Sequence, residues 1–300
     1  MCPYAAMKYT VTSGRRHTSE NVSQNMERYG KNMKKIICAV IALLMLLSLA
    51  ACTSSDKSDY EQIKESGKLV IGITIYEPMN YYEKDGKTLT GFDTDFATAV
   101  CNELGIEPEF RVIDWKTKET ELKSKNIDCI WNGLTILEER KENMSFTTPY
   151  LVNRQVAVIN KEDAEKYATK TALESAIITA ESGSAGETSI GEDASLSKAT
   201  YIASETQQAA LISLNAGNSD VAIVDYTTAE ANCGKGDYQD LMILESVEIP
   251  DELYAIGFRL DSDMTEKTNE IISKLISNGT LKEIAEKYDL VEEYEAAVNR

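Results

Sequence analysis

The sequence predicts an α/β fold built from two similar lobes. From residue 69 onward, short apolar runs alternate with amphipathic stretches, a pattern typical of α/β proteins with mostly parallel sheets. A second alternating series begins near residue 155 and has the same layout as the first. The chain has 300 residues, of which 43% are hydrophobic, so it is long enough to bury two medium-sized cores.

The first series forms one βαβαβ unit. Apolar residues at 96, 97, 100 and 104 repeat with helical spacing and are followed by Gly105, which is typical of a helix end. The elements predicted in this unit are strands at 69–75, 109–113 and 127–131 and helices at 93–104 and 116–125.

The second series and the remainder of the chain complete the two lobes. The elements predicted here are strands at 155–159, 176–180, 199–202, 221–224 and 254–260 and helices at 204–216, 264–277 and 280–288. We expect residues 61–152 with 250–290 to form lobe 1 and residues 153–249 to form lobe 2. Residues 291–300 are expected to be a C-terminal tail, either a solvated helix or a frayed end. Two such lobes bind ligands between the carboxyl ends of their strands.

The N-terminal segment has the order of a secretory signal. Lys34 and Lys35 precede an apolar run at 36–49, which is shorter than the about 20 residues that a bilayer-spanning helix needs. Leu49-Ala50-Ala51-Cys52 resembles the lipobox of bacterial lipoproteins, which implies that residues 1–51 are lost and that Cys52 carries the lipid. Residues 52–60 would then tether the domain to the outer face of the cell membrane. The alternative, an uncleaved anchor, leaves the domain on the same side. Residues 1–32 fit neither signal nor fold, so Met33 is the expected start.

Composition excludes several classes of function. The formal net charge is −18 and no basic run follows residue 35, so nucleic acid is not an expected partner. The one histidine, His17, lies in the segment predicted to be lost, which excludes histidine-based triads and histidine-containing zinc sites from the exported part. No two of Cys101, Cys129 and Cys233 have C-x-x-C spacing. No cofactor and no metal are expected, and Cys101 and Cys129 are interpreted as core residues rather than reactive thiols.

The charged groups of a free amino acid define the site that would bind it. A carboxylate and an ammonium lie a few ångströms apart, so the site needs an anion-binding group and a cation-binding group, both largely dry. Arginine is the best carboxylate partner because its fork donates two parallel hydrogen bonds. Arg140 follows a buried strand and the turn at 133–136, where a helix would begin. The alternative is a solvated arginine within the charged run 138–142, and the residues alone do not separate the two.

A series of motifs resembles the family-3 solute-binding proteins of polar amino-acid ABC transporters. Residues 132–140 (NGLTILEER), followed by 146–150 (FTTPY), carry the main resemblance. Further motifs stand in the same order at 91–93, 114–115, 126–128, 181–187 and 217–225, so the resemblance covers about residues 60–290. It implies a two-lobed periplasmic-binding-protein-like fold of type II. It also implies a monomer that is not an enzyme, an amino-acid ligand and an ABC transporter permease as partner.

The resemblance also implies which residues bind the ligand. Thr135 and Arg140 would bind its carboxylate and Asp225 its ammonium, with Asp220 as the competing acid at the other end of the strand. The amides of the turn at 183–186 and the Ser184 hydroxyl would complete the carboxylate site, unless this turn is a plain loop. The full predicted set is Tyr76, Trp115, Asn132, Gly133, Thr135, Arg140, Ser184, Ala185, Gly186 and Asp225.

Two questions about specificity and chemistry stay open in the sequence. Thr74 stands about where cation-binding members of the family often carry an acid, so a neutral or sulfur-containing polar amino acid is favoured over a cationic one. Asn132 would then meet the polar side chain of the ligand, whereas Trp131 is interpreted mainly as a core residue. The alternative function is an enzyme on the same scaffold, a cyclohexadienyl or arogenate dehydratase, with Glu77 as its general acid.

Overall fold

A computed structural model of the chain describes residues 57–300. The predicted signal segment and Cys52 lie outside the described residues. Residues Ser58–Arg300 form one compact unit that contains two large β-sheets. Within this described part, no helix is long and apolar enough to cross a membrane.

The first lobe is a five-stranded sheet in the order β4-β1-β5-β13-β6, flanked by helices. The first helix was not predicted. Its signals are a capping box between Ser58 and Glu61 and a left-handed Gly67 at its end. The strands are β1 (Lys68–Ile73), β4 (Glu107–Val112), β5 (Cys129–Ile130), β6 (Met144–Phe146) and β13 (Gly257–Arg259), with a small hairpin of β2 (Tyr81–Tyr82) and β3 (Leu89–Thr90). The helices are α1 (Asp59–Ser66), α2 (Phe92–Leu104), α3 (Lys118–Lys123), α4 (Glu138–Lys141), α8 (Met264–Ser277) and α9 (Thr280–Lys287).

The second lobe is a sheet in the order β11-β7-β10-β8-β9, with β12 also paired to β7. Apolar residues pack on both faces of this sheet, which gives two clusters of buried side chains. The strands are β7 (Leu151–Asn160), β8 (Ile177–Glu181), β9 (Thr200–Ser204), β10 (Val221–Asp225), β11 (Leu241–Ile243) and β12 (Asp251–Tyr254). The helices are α5 (Ala185–Glu192), α6 (Gln207–Asn215) and α7 (Tyr226–Asn232).

The α/β fold class is confirmed, but the sheets are mixed rather than mostly parallel. β1 pairs in parallel with β4 and β5, and β8 with β9 and β10, whereas the pairings of β7 and β13 are antiparallel. The chain passes between the sheets twice, out through β7 and back through β12. These two strands therefore run in opposite directions and pair with each other, with Leu151 opposite Tyr254. The strand predicted at 254–260 is therefore two strands, β12 and β13, in different sheets. The predicted lobe limits, at 152/153 and 249/250, stay a prediction.

The end of the chain is a helix, one of the two alternatives expected for it, but one side of this helix is packed against the protein. Residues Val291–Val298 form helix α10, in which Tyr294 and Ala297 are buried. The cause is a helical stripe of apolar residues, since Val291, Tyr294 and Val298 recur at spacings of three and four. Other helices agree with the sequence: the helix predicted at 264–277 is α8 with the same limits.

The core of the first lobe contains the residues interpreted as core from the sequence. Trp131 is fully buried and its ring meets Phe96 edge-on, with 4.9 Å between the ring centres. Cys101 and Cys129 are also fully buried, and burial raises the pKa of Cys101 to about 12. A thiol with such a pKa is not nucleophilic at neutral pH, which agrees with the interpretation of a core residue.

Helix α2 begins in a close contact with the segment before it. The amides of Phe92 and Asp93 donate to the carbonyls of Pro78 and Met79 at 2.9 and 3.0 Å. Gly91, at the helix start, has φ +130°, and a Cβ there would lie 2.1 Å from the Met79 carbonyl oxygen. Only glycine therefore fits this position.

We expect Gly91→Ala to lower the free energy of unfolding by about 3 kcal/mol or more, because both the backbone conformation and the contact become strained. The matched control is Gly191→Ala in α5, where a Cβ would meet nothing within 4 Å. That change should be neutral or stabilise the protein by up to about 1 kcal/mol. Urea denaturation measures both, and equal stability of the two variants would contradict the packing argument.

Asp93 carries a buried carboxyl behind the turn that follows β5. It is fully buried, and its Oδ2 accepts the Gly133 amide at 2.7 Å. Burial raises the pKa of Asp93 to about 7. Between pH 4 and pH 7 the folded protein therefore keeps a proton that the unfolded chain has lost, so stability must fall as pH rises through this window.

Asp93→Asn should remove this part of the pH dependence, because an amide accepts the same Gly133 hydrogen bond without a charge to bury. Relative to the wild type, the variant should gain stability steadily from about pH 4 to about pH 7 and show no further gain above it. Chemical denaturation at several pH values gives the comparison. Parallel stability curves for the two proteins would show that Asp93 is ionised in the fold.

Candidate functional site

A small cavity lies between the two sheets and collects most of the predicted site residues. The cavity is nearly closed, since its volume is about 10 Å³, room for about one water molecule. Eight of the ten predicted ligand-binding residues line it, and Glu181 and Gln207, which were not predicted, line it as well. The full lining set is Trp115, Asn132, Gly133, Thr135, Arg140, Glu181, Ser184, Ala185, Gln207 and Asp225.

Arg140 points into this cavity from the short helix α4. Its side chain is 3% exposed, which rules out the solvated arginine considered above. Its guanidinium donates to the carbonyls of Thr135 at 2.9 Å and Gly183 at 3.0 Å. Burial lowers the pKa of Arg140, yet within the described part of the chain no carboxylate contacts it. Arg140 is therefore a buried cation without an anionic partner.

Lys118 is a second buried cation beside Arg140, and the sequence did not indicate it. Its ammonium donates to the same Gly183 carbonyl at 2.8 Å and to the Trp115 carbonyl at 3.3 Å. It also lies 4.8 Å from the centre of the Trp115 ring. Burial, followed by the nearby charge of Arg140, lowers the pKa of Lys118 to about 8. Two cations of the first lobe thus meet one carbonyl of the second.

The turn before α5 supplies the wall opposite these cations. Ser184 is the N-cap of α5, and its Oγ accepts the Glu187 amide at 3.1 Å. The Glu187 carboxylate accepts the Gly183 amide at 2.6 Å, so both side chains serve to hold the turn. Gly186 lies behind the wall, since a Cβ there would be 2.9 Å from Gln155 Oε1. The predicted roles of Ser184, Ala185 and Gly186 with a ligand stay predictions.

Asp225 is buried at the end of β10 and is held by amide groups. Its carboxylate accepts hydrogen bonds from Asn153 at 3.2 Å and from the side-chain amides of Gln155 and Gln207. Burial raises the pKa of Asp225 and these hydrogen bonds oppose the rise. The competing acid, Asp220, lies at the other end of the strand, where it accepts the Ile177 amide at 2.8 Å and pairs with Lys166.

Glu252 on β12 is a second carboxyl beside Asp225 that the sequence analysis missed. Its Oε1 accepts from Asn153 at 2.5 Å, Gln155 at 2.8 Å and the Thr135 hydroxyl at 3.0 Å. Burial, followed by the charge of Asp225, raises the pKa of Glu252 to about 7. The signal that could have indicated this cluster is the pair of polar residues at 153 and 155, which share one face of the buried strand β7.

Asn132, Gly133 and Thr135 are all in place, but their polar groups are engaged within the protein. The Asn132 amide contacts the Thr74 backbone and hydroxyl at 3.0 and 2.7 Å, and Asn80 at 2.8 Å. The hydroxyl of Thr135, the only donor of its side chain, donates to Glu252. A side chain at Gly133 would lie 2.8 Å from the Tyr76 ring, so glycine leaves room for that ring.

Tyr76 lies next to the cavity and joins the two lobes. Its hydroxyl contacts Thr227 at 2.6 Å and Tyr254 at 2.9 Å, and all three side chains are buried. Trp115 is 5% exposed and forms part of the cavity lining. Glu77, the proposed general acid of the enzyme alternative, is exposed and does not line this cavity.

Comparison with known proteins assigns the chain to a family. It is 27% identical over 260 residues to the arginine-binding extracellular protein ArtP of Bacillus subtilis, covering 85% of this chain and 98% of that protein. It is 25% identical over 258 residues to the L-cystine-binding protein TcyJ of Escherichia coli, covering 85% and 95%.

A solved structure and a family model agree with these two relatives. An amino acid ABC transporter substrate-binding protein from Streptococcus pneumoniae bound to L-arginine matches with a TM-score of 0.71 and 31% identity, covering 77% of this chain and 98% of that one. Residues 69–291 match the model of the bacterial extracellular solute-binding proteins, family 3. The chain therefore belongs to family 3 of the bacterial extracellular solute-binding proteins.

Proposed function

We propose that this protein captures a free amino acid outside the cytoplasm and delivers it to the permease of an ABC transporter. The observation that carries the proposal is the charge arrangement of the cavity. Arg140 of the first lobe and Asp225 of the second line the same small space, and neither has an oppositely charged partner among the described residues. A zwitterion held between the two lobes at this point would pair both charges.

The carboxylate of the ligand is assigned to the end of the cavity that contains Arg140. The guanidinium is buried, so a hydrogen-bonded carboxylate interacts with it far more strongly than it would in water. Lys118 adds a second positive charge, and the first amides of α5 at Ala185 and Gly186 have no partner within their own helix. This combination favours an anion over a neutral group.

The ammonium of the ligand is assigned to Asp225. Three side-chain amides donate to this carboxylate and fix its position without neutralising it. A buried carboxylate with only neutral partners is stabilised strongly by a cation that reaches it. Trp115 and Tyr76 would cover the carbon skeleton of the ligand and exclude water from both charge pairs.

Ligand binding and lobe closure are coupled in this proposal. The Gly183 carbonyl of the second lobe accepts from both cations of the first, so the groups that would bind the ligand also join the lobes. A closed form that makes all of these contacts is selected when the ligand is present, and that form docks on the permease. Both halves of the cavity come from one chain, which supports a monomer as the active species.

A binding protein is preferred over a dehydratase on the same scaffold. Dehydration of a prephenate-like acid requires a general acid in the cleft. Glu77, the candidate from the sequence, is exposed and outside the cavity. Incubation of the protein with prephenate should give no product, and measurable turnover would favour the enzyme.

Arg140→Ala should weaken amino-acid binding by about 30-fold or more, because loss of one partner of a buried charge pair costs about 2–5 kcal/mol. A thermal-shift screen of the twenty amino acids first identifies a ligand, which at 100 times its Kd stabilises the wild type by about 2.7 kcal/mol. Calorimetry then compares the variants.

The control is Arg111→Ala, which removes an arginine of the same lobe whose side chain is 44% exposed and paired with Glu109. Its affinity for the ligand should stay within twofold of the wild type. Near-normal affinity of a folded Arg140→Ala protein would contradict the assignment of the carboxylate site.

We also propose that a lipid on Cys52 holds the protein at the outer face of the cell membrane. The support is the basic pair, the short apolar run and the Leu-Ala-Ala-Cys sequence at 49–52. Metabolic labelling with a palmitate analogue should label the wild type and Cys233→Ser but not Cys52→Ser. Absence of label from the wild type would contradict the lipid assignment and favour the alternative of an uncleaved anchor.

A further inference from the structure

Glu181 is a buried carboxyl in the cavity that the binding of an ordinary amino acid leaves without a role. It is the last residue of β8 and its side chain is 4% exposed. Its Oε1 has no hydrogen-bond partner anywhere in residues 57–300. A buried polar atom without a partner is costly, so native proteins retain one mainly where something else binds it.

The two cations nearest to Glu181 are already engaged. Lys118 donates to the carbonyls of Gly183 and Trp115 and lies over the Trp115 ring. Arg140 donates to the carbonyls of Thr135 and Gly183. Within the described chain neither is in ion-pair contact with Glu181, although their charges reach it. The carboxyl therefore faces the cavity without a direct cationic partner.

The proposed function accounts for two of the three ionisable side chains that line the cavity. When a ligand carboxylate binds Arg140 and a ligand ammonium binds Asp225, Glu181 still has no partner. A neutral ligand side chain would seal this carboxyl from water without pairing it, which is unfavourable. A ligand side chain that ends in a cation would form an ion pair with this carboxyl.

We propose that the ligand carries a second positively charged group, an ammonium or a guanidinium, and that Glu181 binds it. This inference rests on the proposed function and deepens it, because it names the ligand class. It also replaces the expectation of a neutral ligand. That expectation came from Thr74, which stands in the first lobe about where cation-binding members of the family often carry an acid. Glu181 supplies an acid from the second lobe instead.

The protonation of Glu181 gives this proposal a second observable. Burial, followed by the charge of Asp225, raises the pKa of Glu181 to about 8, while Lys118 and Arg140 oppose the rise and Asp114 adds to it slightly. A cation that binds the carboxylate stabilises its ionised form and so lowers this pKa. Binding at pH 7 should therefore release a proton from Glu181, and affinity should rise with pH up to about pH 8.

The test compares ligands that differ in one charge. Calorimetry on the purified wild-type protein measures L-arginine against L-citrulline and L-lysine against L-norleucine, with L-cystine as a ligand that carries two ammonium groups. We expect at least one of the three ligands with a second cation to bind about 30-fold or more tightly than the neutral ligands. Equal binding of neutral and cationic ligands would overturn the inference and leave the proposed function standing.

Glu181→Gln tests the residue itself. The variant should lose the preference for the cationic ligand, bind the neutral ligands at least as tightly as the wild type does, and release less proton when calorimetry is repeated in buffers of different ionisation enthalpy. Glu192→Gln is the control, since it makes the same change at an exposed site of the same lobe. A preference that survives in Glu181→Gln would overturn the inference. If no amino acid binds the wild type, the proposed function fails and this inference fails with it.

Discussion

Opposite charges face each other across the cavity without meeting, and the site depends on this separation. The first lobe contributes the cations Arg140 and Lys118, and the second contributes the acids Asp225 and Glu181. The cations donate instead to backbone carbonyls, and one of these, that of Gly183, belongs to the second lobe. These hydrogen bonds hold the lobes together. Pairing of all the charged groups, however, requires a molecule that carries both positive and negative charges.

Neutral side-chain amides fix the positions of the two acids Asp225 and Glu252. Asn153 and Gln155 each donate to Asp225 and to Glu252, and Gln207 donates to Asp225 and accepts its amide. Two carboxyls that share donors repel each other when both are ionised, which is one cause of the raised pKa of Glu252. A ligand cation relieves this repulsion. The positions of the groups are thus fixed before binding, and the free energy of binding does not have to order them.

The parts of the fold that follow local periodicity could be predicted from the sequence. Helix α8 was predicted with its limits, and the strands on either side of the cleft were located within a few residues, because apolar spacing is a property of neighbouring residues. The passage between lobes could not be predicted in this way. The apolar run 254–260 contains no local mark of the point after Tyr254 where the chain leaves one sheet for the other.

The site shows the same division. Arg140 and Asp225 were found because each stands in a short motif that resembles the family, whereas Glu252 meets Asn153 and Gln155 from 99 and 97 residues away. Lys118 stands in no motif, and Glu181 opens the motif at 181–187 without a role assigned to it. Burial distinguishes both from the solvated lysines and glutamates of this acidic chain.

Burial also explains why the buried acids of this protein lower the stability of the fold. Asp93, Glu181 and Glu252 all have raised pKa values because the folded protein disfavours their charge, so each lowers stability as pH rises. For Glu181 and Glu252, a bound cation lowers that cost in the closed form and does nothing for the unfolded chain. Ligand binding then stabilises the closed protein most at the pH where these acids are ionised. A ligand cation therefore makes closure more favourable at the pH where these acids ionise, because it compensates their charge in the closed form.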